Sequence, residues 1–449
     1  MRAKIRVASL AAGALCVALS ASACSGAGGG SAAGDQNSIN VLMVNNPQME
    51  DLQRLTADNF TKDTGIKVNY TVLPENDVRA KISQEFSSQA GQYDVASLSN
   101  YEIPFYSANG WLAPLDNVAK DAEFNQADIL PAYTASLTGK DGKLYGEPFY
   151  GESSFLMYRK DILEAKGLTM PEKPTWDEVA ALAAQADGAA PGMKGICLRG
   201  QPGWGQVFAP LTTVVNTFGG TWFDKDWNAQ VNAPEFTEAT EFYTKLVREH
   251  GEAGAAQAGF TECLNNMSQS KVAMWYDATS AAGALEADAS PVKGKIGYAQ
   301  APVKKTASSG WLWTWSWGVQ AASKKQDAAG KFIAWASSKK YEELVASKLG
   351  WAKVPSGKRI STYENGEFQK AAPFFEAERS AIENADPKNP GVQERPVVGI
   401  QFVGIPEFAD LGTTVSQGVS SAIAGQGTVA EALAKGQEAA QKIGDKYKK

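Results

Sequence analysis

The run Trp311-Leu-Trp-Thr-Trp-Ser-Trp-Gly318 sets four indoles at every second position. In an extended backbone alternate side chains share a face, so Trp311, Trp313, Trp315 and Trp317 predict one aromatic wall, with Leu312, Thr314 and Ser316 opposite. An indole offers a flat apolar face suited to the C–H surface of a carbohydrate or polyol, and its N–H still donates a hydrogen bond. The competing use of the same residues is an aromatic core strand, because Trp is well buried on average. Groups able to bond hydroxyls stand elsewhere in short polar strings: Asn46, Tyr101 with Glu102, Tyr150 with Glu152, Arg199 with Trp204, and Asp277. A surface loop is polar by default, so their meaning depends on the elements that hold them.

Those elements follow from periodicity. Ile39–Val44, Ile66–Val72 and Tyr93–Leu98 read as strands, with helical spacing at Met49, Leu52, Leu55, Phe60 and again at Val78, Ile82, Phe86 between them. This β-α-β-α-β order implies a parallel sheet with right-handed crossovers, whose ligands sit beyond the carboxyl ends of the strands. Asn46 and the Ser99–Glu102 string lie at such ends. Gly142 to Asp161 reads as two strands broken at Tyr150-Gly-Glu-Ser153, and Lys271 to Asp277 as a strand that finishes on a carboxylate. Ile196 to Gly205 ends a strand in a Gly/Pro loop that carries Arg199 and Trp204. Thr175-Trp-Asp-Glu178 and Thr428-Val-Ala-Glu431 are capping boxes that open helices. Glu235 to Glu249 is amphipathic. The tail is predicted mostly helical, and no internal repeat is visible.

Length and charge narrow the class. A chain of 449 residues exceeds what one core usually supports, so two lobes are expected. Arg2, Lys4 and Arg6 precede an apolar run from Val7 to Leu19, and Ala21-Ser-Ala-Cys24 supplies small residues before a cysteine. Residues 1–23 thus read as a signal peptide, with export as the consequence. Ala21-Ser-Ala-Cys24 resembles a bacterial lipobox, departing from it at Ala21 where Leu is usual. Cys24 is then the lipidated residue, and 24–37 a Gly/Ser/Ala tether holding the protein on the outer face of the cell membrane. Without the three leader cations the formal charge falls from −6 to −9, which speaks against nucleic acid as partner. Cys197 and Cys263 are left as a candidate disulfide in an oxidising compartment. Beside them the lone His250 leaves too few ligands for zinc, and it lies far from any nucleophile elbow. Glu152 and Asp277 could be cast as a glycosidase pair, about 5–9 Å apart, yet no glycosidase motif accompanies them.

Nine strings in order carry a resemblance across residues 38–449. They are Val44-Asn-Asn-Pro47, Asn100-Tyr-Glu-Ile-Pro104, Leu144-Tyr-Gly-Glu-Pro-Phe-Tyr-Gly-Glu-Ser-Ser154, Gly195-Ile-Cys-Leu-Arg-Gly200 and Gly203-Trp-Gly205. Met274-Trp-Tyr-Asp-Ala-Thr279, the Trp311 run, Gly350-Trp-Ala-Lys-Val-Pro355 and Val398-Gly-Ile-Gln-Phe-Val-Gly-Ile-Pro-Glu-Phe408 complete the set. Together they resemble the family 1 extracellular solute-binding proteins of ABC importers, and within them the sorbitol/mannitol binders. The Trp run departs from that pattern, since the polyol binders show fewer Trp there.

The resemblance implies an α/β, two-lobe periplasmic-binding-protein-like fold with crossing hinge strands and a ligand cleft between the lobes. It places crossings near Leu144–Glu152, Tyr276–Ala282 and Leu312–Ala322. The N-lobe would be 38–145 plus 280–335, and the C-lobe 146–279 plus 336–449. It further implies a monomer without cofactor or metal that hands a polyol or small sugar to permease membrane subunits and performs no catalysis. A secreted glycosidase and a glycan-binding surface lipoprotein are the alternatives. In such a cleft Glu102, Glu152 and Asp277 would accept hydrogen bonds and Arg199 and Asn46 donate them. Trp204 and one or two of Trp311, Trp313 and Trp315 would be platforms, with Tyr101 and Tyr150 at the rim. Each also has a structural reading: Glu152 bonding hinge backbone, Arg199 in an ion pair, Asp277 as a helix N-cap.

Overall fold

The computed structural model describes residues 37–448, so residues 1–23, expected to be a signal peptide, Cys24 and all of the expected tether but residue 37 lie outside the described residues. Ten strands run in chain order: β1 (Ser38–Val44), β2 (Lys67–Leu73), β3 (Val95–Ser99), β4 (Leu112–Ala113), β5 (Glu147–Glu152), β6 (Ser154–Arg159), β7 (Lys194–Cys197), β8 (Val272–Ala278), β9 (Ile296–Gln300) and β10 (Trp313–Gln320). They form two sheets, ordered β2-β1-β3-β10-β4 with β5 also on β10, and β7-β8-β6-β9. β1 lies parallel to both β2 and β3, as the predicted β-α-β-α-β order demands. β10 then enters antiparallel between β3 and β5, making the first sheet mixed. Val41, Leu42, Met43, Val44 and Val95 are fully buried, which is the apolar run of a sheet covered on both faces. Both capping boxes form, with Thr175 and Thr428 each accepting from the backbone N–H three residues on.

Four expectations need correction. The chain does not break at Tyr150–Ser153: β5 continues to Glu152 because Tyr150, Gly151 and Glu152 pair with Trp315, Thr314 and Trp313. A single residue, Ser153, separates the two sheets there, its carbonyl accepting from the Thr279 N–H and its own N–H donating to the Thr279 hydroxyl. The second passage between sheets is not at Tyr276–Ala282, because β9 returns to pair with β6; the switch falls between Gln300 and Trp313. Residues 336–449 do not all accompany the second sheet. Tyr341, on the helix Lys339–Leu349, packs its ring 5.8 Å from Phe149 of β5 and 5.0 Å from Trp335. Finally Trp311 precedes β10 rather than standing within it.

The passage between the sheets is tight. Gly357, at φ +84°, lies so close to β5 that an added Cβ would stand 1.9 Å from the Gly151 carbonyl oxygen. Only glycine serves there, and this contact fixes the backbone on which Glu152 is carried. Among the described residues no helix is long and apolar enough to cross a membrane.

Candidate functional site

Strand ends deliver side chains into the space between the two sheets. Asn46 follows β1 and sits before Pro47, the first residue of the helix Pro47–Thr56. Its side chain does not cap that helix. Its Nδ2 donates instead to the Tyr150 hydroxyl at 2.7 Å. Tyr150 therefore orients Asn46 and does not itself line the cavity between the sheets, and burial pushes its phenol well above the ordinary range. Glu152 ends β5 and accepts from the Ser280 hydroxyl. Burial is the main cause that lifts its carboxyl to about 8, so near neutrality it is a neutral acid able to donate as well as accept.

Arg199 follows β7 on the other sheet. Its Nε and Nη2 donate to the two Asp277 carboxylate oxygens at 2.8 and 2.6 Å, and its Nη1 to the Gly205 carbonyl at 3.0 Å. Asp277 also accepts from Trp275 Nε1 and from the Ala278 N–H, leaving it fully buried and away from the cavity. It caps no helix; it positions Arg199. A disulfide joins Cys197 to Cys263 with Cα atoms 5.6 Å apart, tying the end of β7 to the helix Phe260–Ser268. Phe260 opens that helix, its ring centroid 5.3 Å from the Arg199 guanidinium. Glu252 lies against the disulfide, and because a bonded cystine has no thiol the three groups make no metal site.

Asn46, Glu152, Arg199, Trp311, Trp313 and Trp315 border one small cavity between the sheets. Trp311 is buried there with its Nε1–H unpartnered, a donor bordering the cavity without a protein acceptor. Trp317 is not part of the wall; it packs 5.2 Å from Phe149 and 5.7 Å from Phe332 in the core. Tyr101 donates its hydroxyl to the Ile405 carbonyl at 2.8 Å and packs with its ring tilted, 4.9 Å from that of Trp204, so these two close the flank. Glu102 accepts from the Ser99 N–H and hydroxyl, a local anchor at the start of the next helix.

Sequence reasoning missed Glu75, Arg79, Gln401 and Phe402, which border the same cavity. Glu75 and Arg79 open the helix Glu75–Ser88, and Glu75 accepts from Arg79 Nε and Nη2 at 3.1 and 2.9 Å. Glu75 also reaches the second sheet's loop, 3.6 Å from Arg199 and 3.3 Å from Gln206. Their only sequence signal is an acid–base pair four apart, which any solvated helix shows. Phe402 packs 5.3 Å from Trp313. Each guanidinium is matched by a carboxylate, and the apolar surface is mostly aromatic. Such a cavity suits a neutral, hydroxyl-rich solute with C–H faces.

The comparisons with known proteins define the class. The model of the bacterial extracellular solute-binding protein family matches residues 45–343, and this chain belongs to that family. It is 38% identical over 403 residues to the mannitol-binding protein of Pseudomonas aeruginosa, covering 89% of this chain and 91% of that one. It is similar to a solved ABC transporter solute-binding protein from Agrobacterium vitis S4 with bound D-mannitol. That likeness has TM-score 0.89 and 44% identity, over 91% of this chain and 99% of the other. A ribitol complex from Agrobacterium radiobacter K84 superposes with TM-score 0.79 at 25% identity, over 90% and 98% of the two chains. The α/β fold with two sheets is that of these solute-binding proteins.

Proposed function

We propose that this protein is the polyol receptor of an ABC importer, capturing a hexitol such as mannitol or sorbitol between two lobes built on the two sheets. The observation that carries the reading is the cavity itself: indole walls beside charge-balanced hydrogen-bonding groups, in a chain 44% identical to a protein with bound D-mannitol. The solute stabilises the closed arrangement by touching both lobes, and the closed form docks on the permease subunits. The glycosidase alternative loses support because Asp277 is spent on Arg199 and does not border the cavity that Glu152 lines, so the two do not pair across a substrate there.

A thermal-shift series with hexitols, pentitols, monosaccharides and disaccharides tests this reading. A solute at 100 times its Kd adds about 2.7 kcal/mol, seen as a raised Tm. A selective rise with hexitols, with the solute recovered unchanged, is the expected result; a rise only with disaccharides removes the polyol assignment. The protein further acts as a monomer anchored through a lipidated Cys24. Cys24→Ala in the native host should therefore release it into the soluble export fraction, and retention in the membrane would refute the anchor.

A further inference from the structure

The helix Glu75–Ser88 follows β2 of the first sheet, and its first turn lies against the turn 202–205, which follows β7 of the second. That turn is held from behind by its own side of the molecule. The Gly200 N–H donates to the Ala258 carbonyl at 2.9 Å, and the Gly203 N–H to the Ser416 hydroxyl at 2.8 Å. The Ser420 hydroxyl donates to the Gly200 carbonyl, and Ser416 and Ser420 both stand on the helix Phe408–Ile423. From the front, Asn76 Nδ2 donates to the Pro202 carbonyl at 3.0 Å, and the Arg79 guanidinium lies 4.2 Å from the Trp204 ring centroid.

The two glycines of the turn show what its front is shaped for. A Cβ added at Gly203 would stand 2.4 Å from Asn76 Oδ1, and one added at Gly205 would stand 2.7 Å from Glu75 Oε1 and 2.8 Å from Arg79 Nε. In both cases the three nearest atoms belong to the helix of the other sheet and none to the glycine's own side. Gly203, at φ +136°, is favoured as glycine in any case. Gly205 lies outside the left-handed region, so what its missing side chain allows is the approach of the helix. Glu75 and Arg79 border the solute cavity, whereas Asn76 does not. The bond from Asn76 to Pro202 therefore ties the two sides together without touching solute. Opening the lobes must break it, while solute entering an open cleft does not meet it. Such a bond slows release and leaves capture unchanged.

We propose that the turn 202–205 is the seat on which the helix Glu75–Ser88 latches when the lobes close, with Asn76 as the positioning residue that holds solute in by slowing reopening. The proposal rests on the polyol reading, and the experiment separates the two. D-Mannitol binding is followed by stopped-flow Trp fluorescence in the wild type and in Asn76→Ala. The variant should release mannitol about threefold to tenfold faster, the worth of one neutral hydrogen bond, with association within about twofold and the solute-free Tm unchanged. An unchanged release rate overturns the latch, as does a loss that falls on association or on the solute-free Tm, the mark of a merely structural role. Gly203→Ala should weaken mannitol binding far less in the Asn76→Ala background than in the wild type, because the added methyl then meets no amide; equal losses overturn the seat. A wild type silent to mannitol brings down the polyol reading alone, and the latch is then decided without solute. Asn76→Cys is combined with Gly203→Cys, where an added Cβ lies 3.1 Å from Asn76 Cγ, within the reach of a disulfide. Mild oxidation should join the pair, and failure to join overturns the latch. Should Gly203→Cys prevent folding, Pro202→Cys with a short bismaleimide takes its place, with the same two outcomes.

Discussion

Two clusters of buried charge in this protein are built alike and used differently. Away from the cavity, Arg359 donates to the Ser337 and Phe124 carbonyls and pairs with Asp128 at 3.1 Å, while Lys358 pairs with Glu342 and donates to the Pro355 carbonyl. Both side chains are fully buried, and their bonding is internal to the protein. In the cleft, Arg199 is held as firmly by Asp277, yet its outer edge faces Glu75 and the cavity. Burial of a charge thus does not mark a site. What marks it is a cavity on the open side of a satisfied pair.

Removing one partner of either pair strands a buried charge and should destabilise by about 3–5 kcal/mol. Asp277→Ala and Arg359→Ala are therefore expected to lose similar stability in urea unfolding. Only Asp277→Ala should also weaken solute binding, by about tenfold to a hundredfold, since it alone frees a side chain that borders the cavity. Equal affinity in the two variants would erase the distinction between the clusters. This revises the expectation that Asp277 accepts hydrogen bonds from the solute directly.

A smaller effect sharpens the same contrast among the indoles. Trp311 and Trp317 both bury an unpartnered Nε1–H, but only Trp311 borders the cavity. Trp311→Phe should lower solute affinity about threefold to tenfold, one neutral hydrogen bond, while Trp317→Phe leaves affinity unchanged. Calorimetric titration of the pair decides whether that N–H serves the solute.

The smallest effect at neutral pH belongs to Glu152→Gln. With its carboxyl held near 8 by burial, Glu152 is already neutral, and an amide of similar shape replaces it with little change in Tm. The difference appears along the pH axis. Between the ordinary carboxyl value of 4.5 and about 8 the folded protein keeps a proton that the unfolded chain releases, so stability falls as pH rises through that window and levels off above it. Glu147, lifted to about 8, and Glu378, lifted to about 7, act in the same direction for the same reason of burial. Tm measured from pH about 5 to about 9 should therefore fall less steeply in Glu152→Gln than in the wild type. Superimposable profiles would show that Glu152 is ionised in the folded protein.

The alternating strands, the parallel pairing of β1 with β2 and β3, both capping boxes and the presence of Glu152, Arg199 and the Trp run near strand ends were legible in the residues themselves. These follow from local physics: period, propensity and helix-end hydrogen bonding act over a few positions. The sequence also placed Glu102 at a strand end and Asp277 on a strand without showing which way they turn. Tertiary structure alone decided that Tyr150 serves Asn46, that Asp277 serves Arg199, and that Trp317 belongs to the core. It alone brought Glu75 and Arg79, an ordinary pair on a helix, against indoles more than two hundred residues away. The reason is that a side chain's partner across a cavity depends on strand order and on where the chain passes between sheets, and neither is written in any local stretch of residues.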